Sequence, residues 1–394
     1  MAKKPKIRFN GFQKDWEEQK LGECFKERQD RSAEGELISV TINSGVVRAA
    51  DTGRRDSSSA DKSHYKVVKK GDFAYNSMRM WQGACGDSKY DGILSPAYTV
   101  AIPLGKIDTS FFTYLSKTAN QLRTYRINSQ GMTSDTWNLK FPTFAKIGVT
   151  VPDVDEQKQI SQFLASIDET ISLRERELEK LKQLKAACLD KMFANGGGKS
   201  RPSIRFAGFT DEWREEIARL IFQTVCEKNH PELPVLSATQ DKGMVIRDDK
   251  VKKVVHDVSN EVTYKRVCPG QFVIHLRSFQ GGFAHSNVEG ITSPAYTIMD
   301  FIDKSKHDDY FWKYIFMSKR FIKRLETVTY GIRDGRSISY EDFTGLGFAF
   351  PEQVEQAKIA KVISLMDKTT SLRQAELTKL RNLKQACLGQ MFAA

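Results

Sequence analysis

The chain has 394 residues, 61 of them Lys or Arg and 49 Asp or Glu, giving a formal net charge of +12 and a pI near 9.2. That length favours roughly two or three domains, and the positive excess suits a polyanion, most simply nucleic acid, although a soluble protein that is merely basic shows the same balance. No apolar run approaches the ~20 residues needed to cross a bilayer, no apolar segment follows the basic start Met1-Ala2-Lys3-Lys4-Pro5-Lys6, and Cys24, Cys85, Cys188, Cys226, Cys268 and Cys387 form no Cys-x-x-Cys pair, so the expectation is a soluble, cytoplasmic protein with reduced thiols and no membrane contact.

Taken in chain order, the sequence proves to be written twice. It opens on Ile7-Arg8-Phe9-Asn10-Gly11-Phe12 and Trp16, which return 197 residues later as Ile204-Arg205-Phe206-Ala207-Gly208-Phe209 and Trp213. Short β-branched or aromatic runs follow: Leu37–Ile42, Lys66–Val68, Phe73–Tyr75 and Tyr98–Ile102, each bounded by Gly, Ser or Pro, as strands are. The run at Tyr98 belongs to Ser95-Pro96-Ala97-Tyr98-Thr99, repeated 198 residues on as Ser293-Pro294-Ala295-Tyr296-Thr297. A helical pattern covers Thr109–Asn120, with Phe111, Phe112, Tyr114 and Leu115, and its counterpart Asp308–Arg324 carries Phe311, Trp312, Ile315 and Phe316. Strands with interspersed helices make each half an α+β domain.

From Asp153 to Ala194 there is neither Pro nor Gly, which permits one unbroken helix. Ile160, Leu164, Ile167, Ile171, Leu178, Leu181, Cys188 and Met192 fall on the 4-3 register of a coiled-coil seam, interrupted by Arg174 and Lys185. The second copy places Ile359, Ile363, Met366, Leu377, Leu380, Cys387 and Met391 on that register, with Arg373 and Lys384 at the matching interruptions and Thr370 as a further weak point. Matching polar interruptions suit two antiparallel helices that pack on each other and use these residues to fix register; the alternative is that they snorkel past a shared apolar core. At ~1.5 Å per residue such a helix is a rod of roughly 60 Å, able to act as a ruler. The resulting plan is a first globular domain (1–152), a central coiled-coil helix (153–195), a flexible Gly-rich linker (196–203), a second globular domain (204–350) and a C-terminal coiled-coil helix (351–394).

Signs of catalysis are missing. Gly198-Lys199-Ser200 has the tail of a phosphate-binding loop, but Phe193 stands where that loop needs its first glycine, and the segment follows a helix instead of a strand. Pro152-Asp153 and Glu156-Gln157-Lys158 contain the letters of a nuclease metal site; the second copy (Pro351-Glu352 and Glu355-Gln356-Ala357) lacks the lysine, and acids in a first helical turn against the helix dipole are the better reading. His64, His230, His256, His275, His285 and His307 include no His-x-x-x-His. No metal and no cofactor is expected in this chain, and the chain alone is not expected to be an enzyme.

Three repeated loops are candidates for DNA contact. Arg79-Met80-Trp81-Gln82-Gly83 matches Arg277-Ser278-Phe279-Gln280-Gly281: an Arg, an aromatic and a Gln able to donate to phosphate, stack and read a base edge, unless the aromatics are core anchors and the arginines pair with local acids. Thr41-Ile42-Asn43-Ser44-Gly45 matches Thr239-Gln240-Asp241-Lys242-Gly243. Gln130–Trp137, with Thr133 and Ser134, matches Tyr330–Arg336, with Arg333 and Arg336. Frame positions repeat while polar contents diverge. If the loops read bases, the two halves read different sequences and the target is asymmetric.

The ordered set of motifs resembles the specificity subunit of a type I restriction–modification system. Its carriers are the Arg-Phe-x-Gly-Phe openings with Trp16 and Trp213, Gly71-Asp72-Phe73 and Gly270-Gln271-Phe272, the two Ser-Pro-Ala-Tyr strands, the Pro152/Glu156-Gln157/Ile160 and Pro351/Glu355-Gln356/Ile359 helix starts, and the helices ending in Met-Phe. The resemblance covers the whole chain and departs little, with Gln271 where the first copy has Asp72. It implies two tandem target-recognition domains separated by two long antiparallel coiled-coil helices. Each domain would read part of a bipartite double-stranded DNA target. Two modification subunits carrying S-adenosylmethionine, together with restriction (motor–nuclease) subunits, would be the partners. Phe163, Leu173 and Phe193 lie off the seam, where either the modification subunits or the recognition domains would cover them. The rival is a stand-alone nucleic-acid-binding protein, repressor-like, without enzymatic partners. A self-contained methyltransferase or nuclease would need the motifs that are missing.

Overall fold

The computed structural model describes residues 4–53, 55, 58–193, 201–239, 242–247, 258–275, 282–328 and 339–393. They form two compact units, Met1–Arg176 with Ala375–Ala394, and Glu177–Gln374. The first contains strands β1 (Glu17–Lys20), β2 (Phe25–Glu27), β3 (Ile38–Thr41), β4 (Gly45–Arg48), β5 (Lys66–Val68), β6 (Phe73–Asn76), β7 (Cys85–Asp87), β8 (Gly92–Leu94), β9 (Tyr98–Pro103) and β10 (Gly148–Val151). Among them lie helices α1 (Leu21–Cys24), α2 (Thr109–Leu115), α3 (Ala119–Asn128) and α4 (Phe141–Phe144). Helix α5 (Val154–Lys191) starts in this unit and ends in the second.

The second unit repeats the plan with β11 (Arg214–Ile217), β12 (Phe222–Val225), β13 (Leu236–Thr239), β14 (Gly243–Ile246), β15 (Lys265–Val267), β16 (Phe272–Ile274), β17 (Phe283–His285), β18 (Gly290–Thr292), β19 (Thr297–Phe301) and β20 (Gly347–Phe350). Its helices are α6 (Ala218–Ile221), α7 (Asp309–Met317), α8 (Lys319–Val328) and α9 (Tyr340–Thr344), and α10 (Gln353–Gln390) runs back to the first unit. The duplication holds strand for strand. Each unit has a four-stranded antiparallel sheet, β2-β9-β6-β7 or β12-β19-β16-β17, and three two-stranded pairs, β1-β10, β3-β4 and β5-β8 against β11-β20, β13-β14 and β15-β18.

The helical stretch expected over Thr109–Asn120 is two helices. Asp108 caps α2 by accepting from the Phe111 N–H at 3.0 Å, and Thr118 starts α3 by accepting from the Gln121 N–H at 3.3 Å. Side-chain oxygens at helix starts satisfy donors that the helix leaves orphaned. The second unit splits likewise at Ser318, between α7 and α8.

Each large core is aromatic. In the first unit Trp16, Phe25, Phe73, Tyr75, Phe111, Phe112 and Phe144 cluster with Ile160 and Leu164 of α5 and with Leu388, Met391 and Phe392 at the end of α10. In the second, Trp213, Phe222, Phe272, Phe311, Trp312 and Phe343 cluster with Ile359 and Ile363 of α10 and with Met192 and Phe193 at the end of α5. Phe193 is therefore not an outward-facing residue: it is 7% exposed, its ring 5.2 Å from that of Phe311. Phe163 packs edge-on to Phe9 at 5.7 Å, and Leu173 stays 47% exposed.

The helices pair antiparallel inside each unit. In the first, Lys384 meets Asp168 at 2.5 Å, Arg174 meets Glu376 at 3.5 Å and Glu175 meets Arg381 at 2.6 Å. In the second, Lys185 meets Asp367. Ile160, Leu164, Ile167, Leu178, Ile359, Ile363 and Leu377 are buried, whereas Ile171, Arg174, Lys185, Met366, Arg373 and Lys384 are half-buried. Each seam lysine thus faces an aspartate that also accepts a tyrosine hydroxyl, Tyr114 to Asp168 at 3.0 Å and Tyr314 to Asp367 at 2.9 Å. A charged residue in an apolar seam is tolerable only with such a partner.

The repeated opening motif is a staple between helices. In the first unit Ile7 N–H donates to the Gln390 carbonyl at 3.0 Å, at the end of α10, and Arg8 forks onto both oxygens of buried Glu156 in α5 at 2.7 Å each. In the second, Ile204 N–H donates to the Lys191 carbonyl at 2.9 Å, and Arg205 forks onto Glu355 at 2.8 and 2.7 Å. The following glutamines are equally structural: Gln157 spans the Pro152 carbonyl and the Asp108 N–H, and Gln356 spans the Pro351 carbonyl and the Asp308 N–H. Glu156 and Glu355 do lie in the first turns of α5 and α10, as the helix-dipole reading expects, and each has a further partner there. Their partner is an arginine fork, the strongest geometry a carboxylate can find.

Candidate nucleic-acid interface

In the first unit the three loops converge on Arg79. The β3–β4 hairpin turns through Thr41–Gly45, with Gly45 at φ +64°, and Thr41 Oγ1 accepts the Ser44 N–H at 3.0 Å. This leaves Asn43 and Ser44 exposed at the tip and Thr41 half-buried beneath them. The 79–83 loop is anchored by Met80, wholly buried, and closed by Gly83 at φ +82°. Arg79 emerges from it to line an open cleft of about 600 Å³ with Ser39, Thr41, Asn43, Ser44 and Asn76. Trp81 is half-buried against the large core, its Nε1–H donating to the Met78 carbonyl at 3.2 Å, and Gln82 is half-buried beside it. Trp81 is thus partly the core anchor that the sequence left open, and Met80 is the full one.

The 130–138 loop is closed at its base by paired hydrogen bonds between Gln130 and Asn138, of 3.0 and 2.8 Å. At its tip the Thr133 carbonyl accepts from the Thr136 and Trp137 N–H groups at 3.0 and 3.1 Å. Gly131 cannot carry a side chain here, because a Cβ would lie 2.6 Å from the Thr136 carbonyl oxygen. Thr133 and Ser134 are exposed. Trp137 packs edge-on to Trp81 at 5.2 Å and beneath the Arg126 guanidinium at 5.3 Å, which ties this loop to the one carrying Arg79. Arg79 also faces Asp135 across the two loops, at 3.8 Å. Asn76, Arg126 and Asp135 belong to this constellation and were not singled out from the sequence: Asn76 and Arg126 lie outside the three candidate loops, and Asp135 lies inside one of them.

In the second unit the β13–β14 hairpin has the same frame. Thr239 Oγ1 donates to the Gly243 carbonyl at 2.7 Å and accepts the Lys242 N–H at 3.2 Å, with Gly243 at φ +74° and Lys242 exposed. Gln240, Arg277, Gln280, Arg333 and Arg336 lie outside the described residues. Among the described residues no group of three or more His, Cys, Asp or Glu could hold a metal, and no helix is long and apolar enough to cross a membrane.

Residues 13–183 match the family model for the type I restriction modification DNA specificity domain. Among solved structures, the chain is similar to the S subunit of a type I restriction–modification system from M. genitalium, with a TM-score of 0.61 and 14% identity, over 99% of both chains. It also matches the HsdS subunit from Thermoanaerobacter tengcongensis, with a TM-score of 0.48 and 15% identity, over 100% of this chain and 99% of that one. A third match, from work on complex assembly and conformational transition of the type I R-M system, has a TM-score of 0.49 and 14% identity, over 96% and 98%. Residues 13–183 thus match the type I restriction modification DNA specificity domain, and along its length the chain has a fold similar to that of the S subunit from M. genitalium.

Proposed function

We propose that this chain is the DNA-specificity subunit of a type I restriction–modification complex, in which each unit reads one half of an asymmetric, bipartite duplex target. The observation that supports this best is the pairing of an identical scaffold with unlike contact loops. The two sheets share one strand order, and the hairpin frames share Thr and Gly at the same places, while Asn43-Ser44 stands against Asp241-Lys242. Phosphate contacts by Lys and Arg set affinity, each contributing about −0.9 to the log–log salt slope, and base-edge contacts set sequence, at about 1–3 kcal/mol each. On this reading Gln82→Ala relaxes one half-site.

The paired helices serve two purposes: they set the gap between half-sites, and their exposed off-seam residues, Leu173 among them, dock the modification subunits. Those subunits carry S-adenosylmethionine and the methyl-transfer residues, and restriction subunits join them; this chain supplies address without chemistry. The test is single-molecule sequencing of methylated bases in cells with the chain and its neighbouring modification subunit, against cells lacking the chain. A two-part asymmetric motif that disappears with the chain is the expected result. An unchanged methylome would leave a stand-alone DNA-binding protein.

A further inference from the structure

The facing of Arg79 and Asp135 extends the reading of the chain as a DNA-specificity subunit, on which it rests. Arg79 Nη1 lies 3.8 Å from Asp135 Oδ1, and the two side chains are 40% and 84% exposed. As an ion pair so open to water it stabilises little. Yet both groups stand on fixed backbone: Arg79 beside buried Met80 and the left-handed Gly83, Asp135 in the turn closed on the Thr133 carbonyl. The contact of Trp81 with Trp137 holds the two loops together.

A carboxylate on a face that meets a polyanion is unfavourable unless it finds a donor. Phosphates offer none. In the major groove the exposed donors are the amino groups of cytosine and adenine, and the guanidinium fork fits guanine N7 and O6. Across a G·C pair that edge runs acceptor, acceptor, donor: guanine N7, guanine O6, cytosine N4. Arg79 and Asp135 side by side offer donor, donor, acceptor. We infer that Arg79 and Asp135 together read one G·C pair in the half-site of the first unit, Arg79 on the guanine and Asp135 on its cytosine.

An A·T pair at that position sets the adenine amino group against the guanidinium and thymine O4 against the carboxylate, so rejection adds to attraction. Trp137 is then a positioning residue for the pair.

The experiment selects duplexes from a randomised library with the full chain, then titrates the preferred duplex and its single-pair variants with wild type, Asp135→Asn and Arg79→Lys. The wild type is expected to select a sequence with a G·C pair that both variants relax. Asp135→Asn should lose about tenfold of the discrimination against A·T there, as one base-edge contact would supply, with every other position unchanged. Arg79→Lys keeps the charge and loses the fork, so it should relax the same pair while retaining affinity for unrelated DNA. If Asp135→Asn tightens binding to all duplexes alike, the carboxylate only repels phosphate and the inference falls. It falls equally if the two variants relax different pairs. A wild-type chain that selects no sequence would overturn the specificity reading itself, and this inference with it.

Discussion

Phe392 lies next to the end of the chain, yet its ring sits in the first unit, 5.3 Å from Phe111 and 6.5 Å from Trp16, with 6% of its surface exposed. Phe392→Ala removes a buried aromatic ring, a change that costs about 3–5 kcal/mol where the cavity cannot collapse. Phe392 lies just past the end of α10, where the backbone can relax more than in a core strand, so the lower figure, about 3 kcal/mol, is the better expectation. At about 1.4 kcal/mol per factor of ten, local opening of the first unit becomes roughly a hundredfold more frequent. Hydrogen–deuterium exchange on the full chain resolves this by element: β2, β6 and β9 should lose protection, while β12, β16 and β19 should not. Phe193→Ala, whose ring is 5.2 Å from Phe311, should give the reverse pattern. Leu383→Ala, at a residue 49% exposed, is the control and should move neither by more than about 0.5 kcal/mol. Loss of protection in the second unit on mutating Phe392 would refute the assignment of the C-terminal helix end to the first unit's core.

Three further outcomes follow from the geometry. Gly243→Ala should destabilise far more than Gly45→Ala in urea melts: both need positive φ, about 1–2 kcal/mol for a side chain, but a Cβ at 243 would lie 2.1 Å from the His285 carbonyl oxygen and at 45 only 3.2 Å from that of Cys85. Burial pushes His307 down from its ordinary 6.5 to about 4, and its Nδ1 accepts the Trp312 indole N–H at 3.2 Å. The unfolded chain therefore binds a proton that the fold refuses, so the stability contributed is present above pH 6.5 and falls away toward pH 4, by up to about 3 kcal/mol; urea midpoints of wild type and His307→Gln that stayed parallel over that window would contradict it. Lys384 and Asp168 are partly exposed, at 23% and 38%, so a double-mutant cycle should give at most about 1 kcal/mol of coupling, while Asp168→Ala alone should cost more than Lys384→Met because Tyr114 also loses its acceptor.

What the sequence displayed, and what it hid, divides by the range of the interaction. The 4-3 register of Ile160, Leu164 and Ile167 is written locally, because one helix face must be apolar wherever it packs. The break at Ser116–Thr118 was invisible to periodicity, since Phe111, Phe112 and Tyr125 are apolar on both sides of it; it lies in the Thr118 cap and the Ser116–Tyr125 hydroxyl contact of 2.9 Å. The covering of Phe193 stayed open for the same reason, because nothing within a helix states that its last turn enters a core that a distant segment builds. In the candidate interface, Thr41, Gly45, Arg79 and Gly83 were legible because turns and repeated loops constrain residue type. Asn76, Arg126 and the pairing of Asp135 with Arg79 were not, because only folding brings the end of β6, helix α3 and the 130–138 loop together.

The departure at Gln271 shows how the two copies stay one fold while their residues diverge. Asp72 accepts the Lys69 N–H at 2.8 Å and the fork of Arg28 at 2.7 and 2.9 Å, a buried ion pair beneath the first sheet. Gln271 keeps the turn, accepting the Cys268 N–H at 2.8 Å, but Val225 stands at the ladder position of Arg28 and brings no charge. The amide instead donates to Asp300 at 2.9 Å, on the strand whose first-unit counterpart carries Ile102 at that register. A carboxylate left without Arg28 would be an uncompensated buried charge, which costs several kcal/mol. Replacing it by an amide removes the charge and keeps the oxygen that the turn requires. The backbone role is therefore what the repeat preserves, and the side-chain partner is free to change around it. The same logic operates at the loops, where Thr and Gly hold the hairpin and the residues between them are released to meet a ligand.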